Sequence, residues 1–121
     1  MRVCIADDND VNARLMQRKL LSMDALLHVQ LLSSAQEACE QFQHFDVLVM
    51  ENGFGPGNMT GVEAIEAIRQ QEEHAPEAMG IVIALWTAED VPHAPGADLI
   101  WDKAISPRKM WDQLLPILPM Q

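Results

Sequence analysis

Short apolar runs alternate with amphipathic stretches along the whole chain. Residues 2–6 (RVCIA), 28–32 (HVQLL), 46–50 (DVLVM), 80–86 (GIVIALW) and 99–101 (LIW) are brief apolar runs with polar boundaries. That pattern suits strands buried in a parallel sheet. Between the first two runs, Val11, Leu15, Met16, Leu20 and Met23 recur at helical spacing, and Asn9 or Asp10 is placed to cap the first turn. Residues 34–42 (SAQEACEQF) predict a second helix opened by a serine cap. Thr60 and Glu63 form a T-x-x-E capping box ahead of Val62, Ile65 and Ile68. Ser106 followed by Pro107 opens a last helix reaching Leu115.

Strand and helix therefore alternate, which predicts right-handed βαβ units and helices on both faces of one sheet. One crossover departs from the rule. Between Trp86 and Leu99 the chain reads TAEDVPHAPGAD, with Pro92 and Pro95. Proline removes an amide donor and clashes with the preceding turn, so the fourth helix is expected to be shortened or missing.

In such sheets ligand sites form beyond the carboxyl ends of the strands. The residues there are Asp7 and Asp8, Glu51, Thr87 and Lys103. Three converging carboxylates repel one another unless a cation sits among them. A hard divalent cation such as Mg²⁺ suits that cluster, and Lys103 can offset part of the charge from within.

The 121 residues fit one domain, and the 49% hydrophobic fraction is enough for an ordinary core. The formal net charge of -10 argues against nucleic acid or an anionic membrane as partner, and is otherwise the mark of a soluble surface. Cys4 and Cys39 have no metal-like spacing and read as buried reduced thiols. No stretch reads as a signal peptide or a membrane span, so a cytoplasmic location is expected. His28, His44, His74 and His93 are scattered, and no nucleophile–histidine–acid set is visible, so an enzyme is not expected. Met16, Met23 and Met50 read as core filler.

Five motifs, in order, resemble the receiver domains of bacterial response regulators. VCIADDNDVN is similar to the acidic-pair segment, and FDVLVME to the third strand with its acceptor position at Glu51. Pro56 and Gly61 match the following loop, IVIALWTA strand four with Thr87, and GADLIWDKA the approach to Lys103. The resemblance covers residues 1–121 as one receiver-like domain. It implies a flavodoxin-like (CheY-like), doubly wound five-stranded parallel sheet of order 2-1-3-4-5. It also implies Mg²⁺ ligands at Asp7, Asp8, Glu51 and the Gly53 carbonyl, with Ca²⁺ as a substitute, and phosphoryl contacts at Thr87 and Lys103. The partners it implies are a histidine kinase, a phosphotransfer protein or an output protein of a phosphorelay, met by a monomer or weak dimer.

The acceptor itself departs from the pattern. Glu51 is one methylene longer than aspartate, and in-line phosphoryl transfer tolerates little displacement, so Glu51 is expected to accept poorly. Two readings stay open: a permanent negative charge standing in for the phosphoryl group, or drift at a retired site. The loop after Glu51 is longer than the family's and rich in glycine, which either remodels the metal site or leaves an ordinary flexible surface loop. Ile100 stands at the switch-aromatic position and Ala104 at the usual proline, which puts the ordinary output face in doubt. The expected function is an atypical, pseudo-receiver domain acting by protein contact. A working Mg²⁺-dependent switch and a metal-supported structural module are the alternatives.

Overall fold

A computed structural model describes residues 1–75, 80–91 and 93–118. Each strand begins where the apolar runs begin or slightly later: β1 (Arg2–Ala6), β2 (His28–Leu32), β3 (Val47–Met50), β4 (Val82–Thr87) and β5 (Leu99–Asp102). They form one parallel sheet in the order β2-β1-β3-β4-β5. The helices are α1 (Asp10–Met23), α2 (Ala35–Gln41), α3 (Gly61–Glu73) and α4 (Pro107–Leu114). This is the doubly wound, CheY-like architecture that the motifs imply.

The helix starts follow their caps. The side chains of Asn9, Ser34, Thr60 and Ser106 each accept an amide of the first turn, and Thr60 with Glu63 completes both halves of the capping box. Within the strands the apparently continuous apolar runs are sorted by pleat. Val3, Ile5, Val47, Val49, Ala84 and Trp86 face one core, packed under α1 and α4 with Met16, Leu20, Met110 and Leu114. Cys4, Ala6, Leu48, Met50, Ile83 and Leu85 face the other, under α2 and α3 with Ile65 and Ile68. Both faces are covered, so alternation in hydrophobicity disappears while alternation in direction persists.

Two strand starts are later than the apolar runs suggest, for a shared reason. The Asp46 carboxylate accepts the Arg2 amide at 2.8 Å, so its side chain closes the sheet end. Ile81 donates its amide to Glu72 Oε2 and gives its carbonyl to Arg69, so β4 begins at Val82.

No helix forms among the described residues between β4 and β5; Pro92 lies outside them. A tight turn takes its place, closed by the Ala97 amide on the Ala94 carbonyl at 3.1 Å, with Gly96 at φ +91°. Ala94 is buried against the α3 side of the core and Val91 and Ala97 pack beside it. Arg69 of α3 fixes the turn: its guanidinium reaches the Gly96 and Ile81 carbonyls, Glu72 and Asp98.

Met16 and Met50 are core residues as expected, and Met23 lies at its margin. All four histidines are exposed. Both thiols are free. Cys4 is buried, and burial, aided by Glu37, pushes its pKa up to about 12, which makes it inert. Cys39 is only partly buried, a correction to the expectation of two buried thiols. No helix among the described residues is long and apolar enough to cross a membrane.

Candidate functional site

The carboxyl ends of β1, β3, β4 and β5 converge on an open cleft of about 530 Å³. Asp7, Glu51, Thr87 and Lys103, the residues that the motifs single out, all line it. Asp7 and Glu51 follow strands whose last residues pair with each other, Ala6 beside Met50, which sets the two acids side by side. Lys103 comes in from the next residue after β5.

The geometry centres on the Lys103 ammonium. It lies 2.9 Å from Asp7 Oδ2 and 2.5 Å from Glu51 Oε2. The Asp7 side chain is 1% exposed, that of Glu51 11% and that of Lys103 20%, so these are desolvated contacts. Below it the Trp86 ring centroid is 3.5 Å away. The remaining oxygens are also engaged. Asp7 Oδ1 accepts the Asn9 amide at 2.8 Å, and Glu51 Oε1 accepts the amides of Asn52 and Gly53 at 2.7 and 3.3 Å. The Thr87 hydroxyl donates to Glu51 and accepts the Glu89 amide at 3.1 Å.

Burial by itself pushes the Glu51 carboxyl up. The hydrogen bonds from Lys103, Thr87 and the Asn52 amide, with the Lys103 charge, outweigh it and hold the group below its ordinary value of 4.5. Glu51 is thus a stable carboxylate, turned back onto the amides of its own loop.

The expected Mg²⁺ set of Asp7, Asp8, Glu51 and the Gly53 carbonyl can be tested against these contacts. Asp8 is exposed, and both buried carboxylates have every oxygen occupied by a protein donor. Among the described residues no three Asp, Glu, His or Cys side chains are placed to hold a metal ion. Even a Mg²⁺ ion that keeps several waters needs one or two free carboxylate oxygens. The arrangement does not fit one: Lys103 and backbone amides already take the oxygens of both buried carboxylates.

Several contributors were not evident from sequence. Trp86 lies in an apolar strand, Lys19 in a helix, and Asn52 and Glu89 in loops, and nothing in the neighbouring sequence marks any of them. Lys19 Nζ donates to the carbonyls of Ile105 (2.9 Å) and Lys103 (3.4 Å), tying α1 to the segment that carries Lys103. Asn52 joins the site to α3, its side-chain oxygen accepting the Val62 amide and its carbonyl the Gly61 amide. Gly61 is required there, since a Cβ would lie 2.0 Å from the Glu51 carbonyl oxygen. The glycine-rich loop is anchored and not merely a surface excursion. Phe54 is buried in the core, and Asn58 closes back on its carbonyl at 2.7 Å, with Gly55 and Gly57 at positive φ.

No protein-family model and no curated protein matches the sequence. Solved structures do match. The receiver domain of the Saccharomyces cerevisiae response regulator Ssk1, in co-crystal with the histidine phosphotransfer signaling protein Ypd1, superposes with a TM-score of 0.81 at 18% identity, over 100% of this chain and 90% of that one. The response regulator TrrA of Thermotoga maritima, in complex with Mg²⁺ and BeF, gives 0.78 at 17% identity, over 97% and 98%. The chemotaxis protein CheY4 of Vibrio cholerae gives 0.74 at 25% identity, over 97% and 98%. At these identities the likeness establishes the fold: the chain has the CheY-like fold, and the structures it resembles are response-regulator receiver domains.

Proposed function

We propose that this chain is an atypical receiver of the two-component or phosphorelay type, a pseudo-receiver that signals through protein contact without the ordinary phosphorylation cycle. The carrying observation is that the acceptor position holds Glu51, whose carboxylate is already bonded to Lys103, Thr87 and the amides of Asn52 and Gly53. Of these donors, Lys103 and Thr87 are the groups that the motif resemblance assigns to an incoming phosphoryl oxygen. To accept phosphate, Glu51 would have to surrender all of them and still reach in-line geometry with a longer side chain.

A protein partner is supported by the surface beside the cleft. Val11 and Leu15, one turn apart on α1, are 68% and 48% exposed, and Leu15 lines the cleft. Single exposed apolar residues are ordinary, but two at helical spacing on the rim of a site give a partner something to bury. The Ssk1 receiver, a neighbour in fold, is seen bound to a histidine phosphotransfer protein. On this reading the chain is a cytoplasmic, non-enzymatic module whose partner is a kinase, phosphotransfer or output protein. The -10 charge disfavours nucleic acid. The saturated donor set gives the alternative of a metal-supported structural module no support.

The test is intact-mass spectrometry after incubation with acetyl phosphate and Mg²⁺, with Glu51→Ala as control. No adduct is expected. A single phosphoryl adduct that vanishes in Glu51→Ala would make the domain a working switch and overturn the proposal. Glu51→Asp is expected to recover partial uptake, because it corrects the reach of the acceptor while Asp7 and Thr87 stay in place.

A further inference from the structure

We propose that the Lys103 ammonium is a resident cation, fixed between Asp7 and Glu51 where a divalent metal would otherwise sit, and that Trp86 is the positioning residue that holds it there. The proposal deepens the pseudo-receiver reading and rests on it for its functional consequence, a cleft whose charge is balanced without metal.

Lys103 is enclosed on three sides. Two carboxylate oxygens hold it at 2.9 and 2.5 Å, and the indole face of Trp86 lies 3.5 Å from the nitrogen at the ring centroid. That is well inside the ~6 Å reach of a cation–π contact, indole is the strongest aromatic partner, and desolvation strengthens the attraction. An ammonium on a four-carbon stem ordinarily keeps its freedom and its water. Here little of the side chain is left to solvent.

Trp86 carries a polar penalty that packing does not explain. The residue is 2% exposed and its Nε1 is the buried side-chain nitrogen without a hydrogen-bond partner among the described residues. Leucine or isoleucine would continue the apolar run of β4 without stranding a donor. What tryptophan adds is its electron-rich face, and Lys103 lies over that face.

The backbone beneath Lys103 is held as well. Lys19 bonds the carbonyls of Lys103 and Ile105 from the α1 side. A lysine that must leave to admit a metal or a phosphoryl group would be served by a loose segment, and this segment is clamped. The carboxylate oxygens not facing Lys103 are already bonded to the amides of Asn9, Asn52 and Gly53. A divalent ion entering the cleft would have to break several of these bonds and lie against the Lys103 charge.

The experiment titrates the EDTA-treated full chain with Mn²⁺ and follows paramagnetic broadening in the amide spectrum at Asp7, Asp8 and residues 51–53. The wild type is expected to show no saturable broadening at millimolar Mn²⁺. Lys103→Met is expected to gain saturable broadening at those residues, and Trp86→Leu to fall between the two. Saturable binding by the wild type would overturn the proposal. A second measurement needs no variant to fold: the Lys103 ammonium should give a resolved, slowly exchanging nitrogen-15 signal, with its protons moved upfield by the indole ring. A signal averaged to that of a free lysine would overturn the proposal equally. Trp86→Phe, which keeps an aromatic face, should retain the resolved signal where Trp86→Leu loses it; loss in both would mean that Trp86 acts through packing alone. The two proposals fail separately. Metal binding without an acetyl phosphate adduct removes the resident cation and leaves the pseudo-receiver, whereas an adduct on a chain that binds no Mn²⁺ does the reverse.

Discussion

Arg69→Met tests how the segment between β4 and β5, which shows no helix among its described residues, is held in place. In the folded protein the guanidinium donates to the carbonyls of Gly96 and Ile81, both at 2.8 Å, to Glu72 at 2.7 Å and to Asp98 at 2.9 Å. The two acids in turn accept the amides of Ile81 and Ile83, so one side chain organises the start of β4 and the approach to β5. Methionine keeps much of the aliphatic stem that lies over Gly96 and removes every donor. Hydrogen bonds to a charged group contribute about 1.5–3 kcal/mol each when desolvated. Asp98 is 41% exposed, so its ion pair is discounted to under ~1 kcal/mol. The freed carbonyls and Glu72 recover part of the loss by rehydration through the cleared space. The net expectation is about 3 kcal/mol, a large share of the roughly 5–15 kcal/mol by which domains are stable. Urea unfolding with an unchanged m-value reads it directly, and hydrogen exchange should accelerate first in residues 93–98. Arg69→Lys should not rescue, since an ammonium cannot bridge four acceptors held in a fork. A loss under about 1 kcal/mol, or exchange that rises evenly over the molecule, would refute the idea that Arg69 holds the turn between β4 and β5.

Gly61→Ala places a Cβ 2.0 Å from the Glu51 carbonyl oxygen and 2.9 Å from Met50 Cγ, so α3 must move away from β3; a loss of about 3 kcal/mol is expected in urea unfolding. Phe54→Ala removes a buried ring from the loop after β3, and a loss of about 3–4 kcal/mol with faster exchange over residues 52–60 is expected, where a surface loop would lose nearly nothing. Glu51 has its folded pKa below the ordinary 4.5, so its charge stabilises the native state fully above that value and the contribution fades as pH falls through the lower folded pKa. The stability gap between wild type and Glu51→Gln should therefore be largest above pH 4.5 and shrink on acidification below it; a gap independent of pH from neutrality down to acid unfolding would contradict the pairing with Lys103.

The fold was legible because each of its signals is local. An apolar run, a side-chain cap and a proline each act within a few residues, and among the described residues they set the five strands, the four helix starts and the lack of a helix between β4 and β5. The site was legible only as far as strand ends reveal it. Asp7, Glu51, Thr87 and Lys103 meet because the parallel register places them together. What they do on meeting depends on contacts between residues far apart in sequence, such as Lys19 with Ile105 or Lys103 with Asp7, and on which way one ammonium points. The Trp86 side chain was equally hidden. A tryptophan in an apolar strand reads as core, and nothing within the strand says that its face covers a cation. In the glycine-rich loop a signal existed: Phe54 is the one aromatic in that stretch, and an aromatic among turn residues is an anchor more often than an ornament.

The glutamate and the held lysine belong to one electrostatic condition. At rest, two buried carboxylates face one partly buried ammonium, and Lys19 bonds the backbone of the segment that carries it. Phosphorylating Glu51 to an acyl phosphate would exchange a single negative charge for roughly 1.5–2, in a cleft already bordered by Asp8 and Glu89. A divalent cation would have to offset that increase, and the oxygens that would bind it are bonded to amides and to Lys103. Restoring aspartate alone therefore corrects the reach of the acceptor but not the charge of the site. This is why Glu51→Asp is expected to recover only partial phosphoryl uptake, and why uptake should rise further when Trp86→Leu is added. If Glu51→Asp alone took up a full equivalent at Mg²⁺ levels ordinary for such domains, acceptor length would be the whole barrier and Lys103 no obstacle.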